Sequence, residues 1–166
     1  MPTTLEDLAL AFAGESQANR RYLAFSRQAD KDGYPQVARL FRAAAEAETV
    51  HALGHLANQG GIGETLRNLE AALAGETYEY EEMYPPMVAR AEAEGHRARV
   101  MLGWANKAEQ VHARLFQQAL DALRAGKDLA QMSIYLCPVC GDIELGTLPE
   151  RCPICNAPAS RYQQIA

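Results

Sequence analysis

The sequence repeats itself at a constant offset that carries Glu48 and His51 onto Glu109 and His112, and these are residues a helical core should tolerate badly. Val37, Phe41, Ala44, Glu48, His51 and His55 follow at spacings of 4, 3, 4, 3 and 4, which keeps them on one helical seam. Leu102, Ala105, Glu109, His112, Phe116 and Ala119 form a second seam, matched to the first from Phe41 to His55 at the same offset. That offset also carries Glu15, on the seam Leu5, Leu8, Phe12, Tyr22, onto Glu76, on the seam Leu69, Leu73, Tyr80, Met83. Each copy of a two-helix unit therefore supplies one lone Glu on its first helix and a Glu-x-x-His on its second, at the same interval in both copies.

The punctuation between these seams predicts four long helices. The first opens at Thr3, where Glu6 completes a capping box, and runs to the turn Lys31-Asp32-Gly33-Tyr34-Pro35. The second spans Pro35 to about Asn58. Gly60, Gly61 and Gly63 then break the pattern, and a short helical stretch from Thr65 to Leu73 is expected inside a long crossover. A third helix is expected from Gly75 or Glu76 to about Gly95, and a fourth from His96 to Leu123. From Ser133 to Ala166 the chain becomes a turn-rich module with Pro or Gly at 138, 141, 146, 149, 153 and 158. The expected organisation is a mainly α chain, a four-helix bundle over residues 1–130 followed by a small β/turn-rich domain over 131–166.

An ionised carboxylate in a dry bundle core costs several kcal/mol, roughly, unless a partner compensates it, and four of them would also repel one another. A pair of bound cations removes both costs. A Glu-x-x-His places its two side chains one turn apart on the same face, so both can ligate one metal while the carboxylate bridges to another. One Glu from each of two helices plus a Glu-x-x-His from each of the other two is the general ligand pattern of di-iron carboxylate bundles. The mixed carboxylate and imidazole set suits iron or manganese, with zinc as a competitor. Glu79 breaks the symmetry, because it lies one turn beyond Glu76 while its counterpart is Ala18. One metal therefore has an extra ligand on offer, and Glu79 is expected to serve one oxidation state and His51 the other. His55, whose counterpart is Phe116, reads as a packing residue. His96 falls in a turn and is expected at the surface. Tyr22 and Tyr84 lie within a turn or two of the carboxylates, close enough to hydrogen-bond a ligand.

All four cysteines fall near the C-terminus, as Cys137-Pro-Val-Cys140 and Cys152-Pro-Ile-Cys155, and none precedes Cys137. Met1 to Glu6 show no basic stretch leading into an apolar run, so no export signal is visible and a cytoplasmic location is expected. In that setting two C-x-x-C pairs read as a four-thiolate metal site rather than two disulfides. Spacing alone does not separate redox iron from structural zinc. A net charge of −5 with scattered cations argues against nucleic acid, and no apolar run is long enough for a membrane span.

The chain resembles the rubrerythrin family from about Thr3 to Tyr162. The segments that carry the resemblance are Gly14-Glu15-Ser16-Gln17 with Tyr22, Glu48-Thr-Val-His51, Ala74-Gly75-Glu76-Thr-Tyr-Glu79, Glu82-Met83-Tyr84-Pro85, Glu109-Gln-Val-His112 and both cysteine knuckles after Tyr135. The resemblance implies a ferritin-like bundle with a rubredoxin-like domain and an oxidoreductase that reduces hydrogen peroxide to water in oxidative-stress defence. It implies Glu15, Glu48, His51, Glu76, Glu79, Glu109 and His112 as di-iron ligands, with Glu48 and Glu109 bridging and His51 and Glu79 exchanging on one iron. Tyr22 and Tyr84 would hydrogen-bond near the irons, and Cys137, Cys140, Cys152 and Cys155 would hold one redox iron, or zinc in its place. It further implies an external donor, a rubredoxin or an NAD(P)H-dependent reductase, and a homodimer or higher homo-oligomer in which one subunit's cysteine site faces the other's di-iron site.

Two features depart from the family pattern: Asn156 follows Cys155 where a glycine is usual, and the loop from Gly141 to Arg151 between the knuckles is compact. The competing readings are a ferroxidase or oxygen reductase using the same cage, and a non-catalytic iron or peroxide sensor or iron store whose cysteine module binds zinc.

Overall fold

The computed structural model describes the whole chain, Met1–Ala166, in which five α-helices precede a small three-stranded sheet. Two compact units result, Met1–Gly63 and Glu64–Ala166. No helix is long and apolar enough to cross a membrane.

The first unit is a hairpin of α1 (Thr4–Lys31) and α2 (Pro35–Asn58). The expected capping box forms: Glu6 N–H donates to Thr3 Oγ1 at 3.3 Å, and Thr3 N–H donates to the Glu6 carboxylate at 2.6 Å. Pro35 starts α2, where its missing N–H costs nothing. The fully buried positions of α2 are Ala38, Ala45 and Ala52, evenly spaced two turns apart, so the two backbones approach closely along a strip of small side chains. Asn19 fixes their register, donating from Nδ2 to the Ala45 carbonyl at 2.7 Å and to Thr49 Oγ1 at 2.8 Å.

The second unit holds α3 (Thr65–Tyr78), a π-helical turn (Glu79–Met83), α4 (Tyr84–Ala93) and α5 (Ala98–Arg124). Here the expectation of a long crossover is corrected. The stretch from Thr65 to Leu73 and the segment carrying Glu76 are one continuous helix, and the connection from α2 shrinks to Gln59–Glu64. Gly75 lies inside that helix rather than starting a new one; a mid-helix glycine costs about 1 kcal/mol relative to alanine, and packing of α3 along α5 outweighs it. The expected third helix is in turn divided, its length shared by the end of α3, the π turn and α4.

After α5 come β1 (Ile134–Leu136), β2 (Ile143–Leu145), a 3-10 turn (Ala159–Arg161) and β3 (Gln163–Ile165), in the antiparallel order β2-β1-β3. The core of this module is Cys137, Cys140 and Cys152, packed under Trp104 of α5, Val139, Ile154 and Tyr162. Trp104 ties the module to the helix that carries Glu109 and His112.

Candidate metal centres

Helical periodicity brings six of the predicted ligands into two clusters. In the first unit the ligand atoms of Glu15, Glu48 and His51 lie within 4.8 Å of one another, and in the second unit those of Glu76, Glu109 and His112 do the same. The two triads are the two copies of the sequence repeat. Each Glu-x-x-His closes on itself, His51 Nδ1 standing 2.9 Å from Glu48 Oε2 and His112 Nδ1 2.7 Å from Glu109 Oε2.

Their surroundings differ. The His112 side chain is 17% exposed, and its Nε2 lies 2.8 Å from the Gly141 carbonyl oxygen. That carbonyl can only accept, so Nε2 carries the proton and Nδ1 presents its lone pair to the carboxylates, the form a metal requires. The His51 side chain is 54% exposed and has no such contact for Nε2 within its unit. Glu109 is pushed up to about 7, first by burial and then by its hydrogen bond to Glu76, with the charges of Glu76 and Glu79 adding and that of His112 opposing. Such a carboxyl carries a proton about half the time at neutral pH, and a bound cation would displace it. The site fits a divalent metal on these grounds: three converging O and N donors, a tautomer set by a backbone carbonyl, and clustered carboxyl groups whose mutual repulsion a cation would relieve.

Glu79 is not in the second triad; it opens the π turn immediately beyond it. A π turn takes in one more residue than an α turn, and such insertions recur at functional sites. The extra residue slips the repeat register by one position, so Tyr84 rather than Met83 takes the place matching Tyr22. Tyr84 is partly buried, and burial together with Glu109, Glu79 and Glu76 raises its phenol above the ordinary range, keeping it a protonated donor. Tyr84, Glu109 and His112 line one cleft of about 370 Å³ with Leu136 to Gly141. Tyr22, in the first unit, stacks obliquely on Phe41 at 6.1 Å between ring centroids. His55 is half-buried and His96 exposed, as expected; His96 Nδ1 accepts the Ala98 N–H at 3.1 Å at the start of α5.

The four cysteine ligand atoms also converge within 4.8 Å, with Cys137 and Cys155 Sγ 3.6 Å apart and Cys140 and Cys152 Sγ 3.4 Å apart. A tetrahedral metal with thiolate bonds near ~2.3 Å needs S–S edges of roughly 3.8 Å, so this cradle is already close to size. The knuckles are near copies: Gly141 N–H donates to the Cys137 carbonyl and Asn156 N–H to the Cys152 carbonyl, each at 2.9 Å. Gly141 has φ +90° and Asn156 φ +62°. The departure from glycine at 156 is thereby accounted for, since asparagine is among the few side chains that accept this left-handed conformation. Backbone N–H groups aim at the sulfurs, from Asp142 to Cys140, from Ile154 and Cys155 to Cys152, and from Ala157 to Cys155. Burial pushes the Cys140 and Cys155 thiols up. At Cys152 burial pushes the same way, but the Tyr162 hydroxyl and two backbone N–H groups outweigh it and the thiol is lowered. Four thiols held together this way need a cation to hold them as thiolates.

Three features lie beyond the reach of sequence reasoning. Asn19 aligns α1 and α2 beside Glu15 and Glu48; its only signal is a polar side chain one turn beyond Glu15 on the same face. Asp142 is buried against the cysteines, its Oδ2 accepting from the Tyr162 hydroxyl at 2.6 Å. An acidic residue between two strand-forming stretches gives no hint of burial. The cysteine module also meets α5 of its own chain through Gly141 and His112, a contact the expectation of a site facing across subunits does not include.

Comparison with known proteins agrees with this geometry. A family described as Rubrerythrin matches residues 6–58 and 54–120, and the rubrerythrin rubredoxin-like domain matches 135–163. Rubrerythrin-2 of Clostridium acetobutylicum is 35% identical over 96% of this chain and 95% of its own length. Nigerythrin of Nitratidesulfovibrio vulgaris is 37% identical over 96% of this chain and 85% of its own. The solved structure of fully reduced, all-ferrous nigerythrin aligns with a TM-score of 0.59 at 33% identity, covering 99% of this chain and 88% of that one.

Proposed function

From the premise that the chain belongs to the rubrerythrin family, with its iron cofactors, its ferritin-like and rubredoxin-like parts and its oxidoreductase character, we propose that it reduces hydrogen peroxide to water. The ferritin-like part is taken as residues 1–130 and the rubredoxin-like part as 131–166. Glu15, Glu48, His51, Glu76, Glu79, Glu109 and His112 are proposed to hold the di-iron centre, and Cys137, Cys140, Cys152 and Cys155 the single iron. Iron bound by these carboxylates and histidines would supply two electrons and Lewis acidity for breaking the O–O bond. With two protons, one peroxide becomes two waters.

The observation that carries this reading is the hydrogen bond from His112 Nε2 to the Gly141 carbonyl at 2.8 Å. Gly141 follows Cys140 directly, so one residue and one hydrogen bond separate a cysteine ligand from a histidine ligand. With iron at the cysteines, that would be a short covalent and hydrogen-bonded route for electrons from the thiolate site. The chain's other residues prepare the reaction. Tyr84, protonated and beside Glu109 and Glu76, can donate a hydrogen bond to a peroxide oxygen in the adjoining cleft. Glu79 opens the π turn with its N–H still on the Gly75 carbonyl and its own carbonyl accepting the Tyr84 N–H, so it would approach or leave the metal by turning its side chain. His51, exposed and without an anchor in its own unit, is its natural exchange partner. An external rubredoxin or NAD(P)H-dependent reductase is proposed to refill the thiolate iron, in a cytoplasmic homo-oligomer.

The test is steady-state peroxide consumption with reduced rubredoxin as donor. Wild type is expected to turn over, and Cys140→Ser to lose at least about 100-fold while keeping iron at the carboxylates. Undiminished turnover by Cys140→Ser would remove the cysteine site from the pathway.

A further inference from the structure

Asp142 is the only acidic residue of the chain that is fully buried, at 1% exposure, and it touches both cysteine knuckles. Its backbone belongs to the first: the Cys137 N–H donates to its carbonyl at 2.8 Å, and its own N–H is aimed at Cys140 Sγ. Its side chain reaches the second, with Oδ2 lying 3.6 Å from Cys152 Sγ and accepting the Tyr162 hydroxyl at 2.6 Å. Oδ1 is buried and finds no hydrogen-bond partner in the chain. Buried polar groups are rarely left so, and an apolar side chain of the same shape would avoid the cost. Stability alone does not explain this carboxyl.

Its neighbours offer one hydrogen to two acceptors. Tyr162 packs against the cysteine cluster with its hydroxyl in reach of the Cys152 sulfur as well as of Asp142 Oδ2. A phenol has one O–H to give, and metal binding strips the thiol hydrogen from Cys152, so the Tyr162 hydrogen is then contested. The two acceptors act in opposite directions on an iron–thiolate couple. Uptake of one electron turns ferric to ferrous iron and adds negative charge to the sulfurs, so a hydrogen bond donated to Cys152 favours the reduced form. A carboxyl oxygen whose lone pairs face the same sulfur favours the oxidised form.

Resting on the iron reading of the cysteine site, we propose that Asp142 and Tyr162 are positioning residues that set its reduction potential, Asp142 drawing the Tyr162 hydrogen away from Cys152 so that the thiolate iron stays a ready electron donor. Neither residue ligates the metal. The hydrogen remains on the Tyr162 oxygen throughout, and the electron arrives from the external donor and leaves for the carboxylate site. The pair alters where the couple lies without entering its balance.

Redox titration of the full chain at one fixed pH tests this, read from the visible absorption of the ferric thiolate site. Asp142→Asn puts an amide donor where there were only acceptors. It should shift the reduced-to-oxidised ratio at a given ambient potential about tenfold upward, about 59 mV for one electron. Tyr162→Phe keeps the ring against the cysteines but removes the hydrogen, and it should lower the same ratio about threefold. Opposite signs are the signature, because looser packing that admits water would move both variants the same way. In the double variant the rise should shrink, since part of it is the Tyr162 hydrogen released to Cys152; an undiminished rise would overturn the pairing. Potentials equal to wild type's, or shifted in one direction by both substitutions, overturn the proposal. If Asp142→Asn holds no iron, Tyr162→Phe decides alone: a lower potential supports the pair, and an unchanged or higher one overturns it. Wild type that purifies with zinc and no ferric absorption sinks the iron reading itself, and the proposal with it.

Discussion

The two triads share one sequence element and differ in what packs around them. Glu15, Glu48 and His51 stand on a hairpin whose histidine is exposed and held only by its own glutamate. Glu76, Glu109 and His112 stand beside a π turn, an extra carboxylate, a tyrosine and a backbone carbonyl that fixes the imidazole. Duplication supplies ligands in pairs, and the neighbours decide what each can do. The anchored histidine suits a metal that receives electrons, and the unanchored one suits a metal whose coordination changes with oxidation state.

The comparison breaks most directly at the carboxylates proposed to bridge. Replacing Glu48 or Glu109 by Ala should lower ferrous affinity at least about 100-fold in either case, because each removes a ligand from both metals; iron titration under argon checks it. The histidines should then part company. His112→Ala is expected to cost roughly 10- to 100-fold in iron affinity in both oxidation states. His51→Ala should cost that much in one state only, with Glu79 supplying the ligand in the other, as iron binding to reduced and oxidised protein would show. Equal losses for both histidines in both states would erase the asymmetry.

A smaller effect concerns pH. Glu109 titrates near 7 in the folded protein against an ordinary 4.5, so between those values the folded state holds a proton that the unfolded chain has released. Stability of the metal-free protein is therefore expected to fall as pH rises from about 4.5 through 7, and to level off above that. Glu109→Gln should flatten this slope in urea unfolding curves taken across the range. Smallest of all, Asn156→Gly should be neutral to slightly stabilising, whereas Asn156→Ala should cost about 1 kcal/mol, as expected for an alanine forced to positive φ. Thermal melts with metal bound would measure both.

Much of this is legible in the sequence because helical periodicity is strict. The spacing of Glu48 and His51 leaves little choice about their face, and the capping box at Thr3 forms as its residues indicate. The cysteine knuckles are equally legible, since paired C-x-x-C spacing dictates local geometry. The π turn is not, because no residue type marks one. Its trace is a slip in the repeat, by which Tyr84 rather than Met83 answers Tyr22. The short connection is hidden by Gly75, which reads as a break. Glycine weakens a helix without ending it when a neighbouring helix holds the turn in place, and α5 does so here. Asp142 stays hidden because its burial depends on Tyr162, far along the chain, meeting it across the module.

The most direct test of the central claim is anaerobic. The fully reduced protein is mixed in a stopped-flow instrument with peroxide or with air-saturated buffer, and reoxidation of the iron–thiolate chromophore is followed. Much faster oxidation by peroxide is the expected result, and it requires iron in both sites with the cysteine iron feeding the carboxylate site. No chromophore, or equally slow oxidation by both, would contradict the peroxidase account and favour a ferroxidase or a zinc-bound sensor.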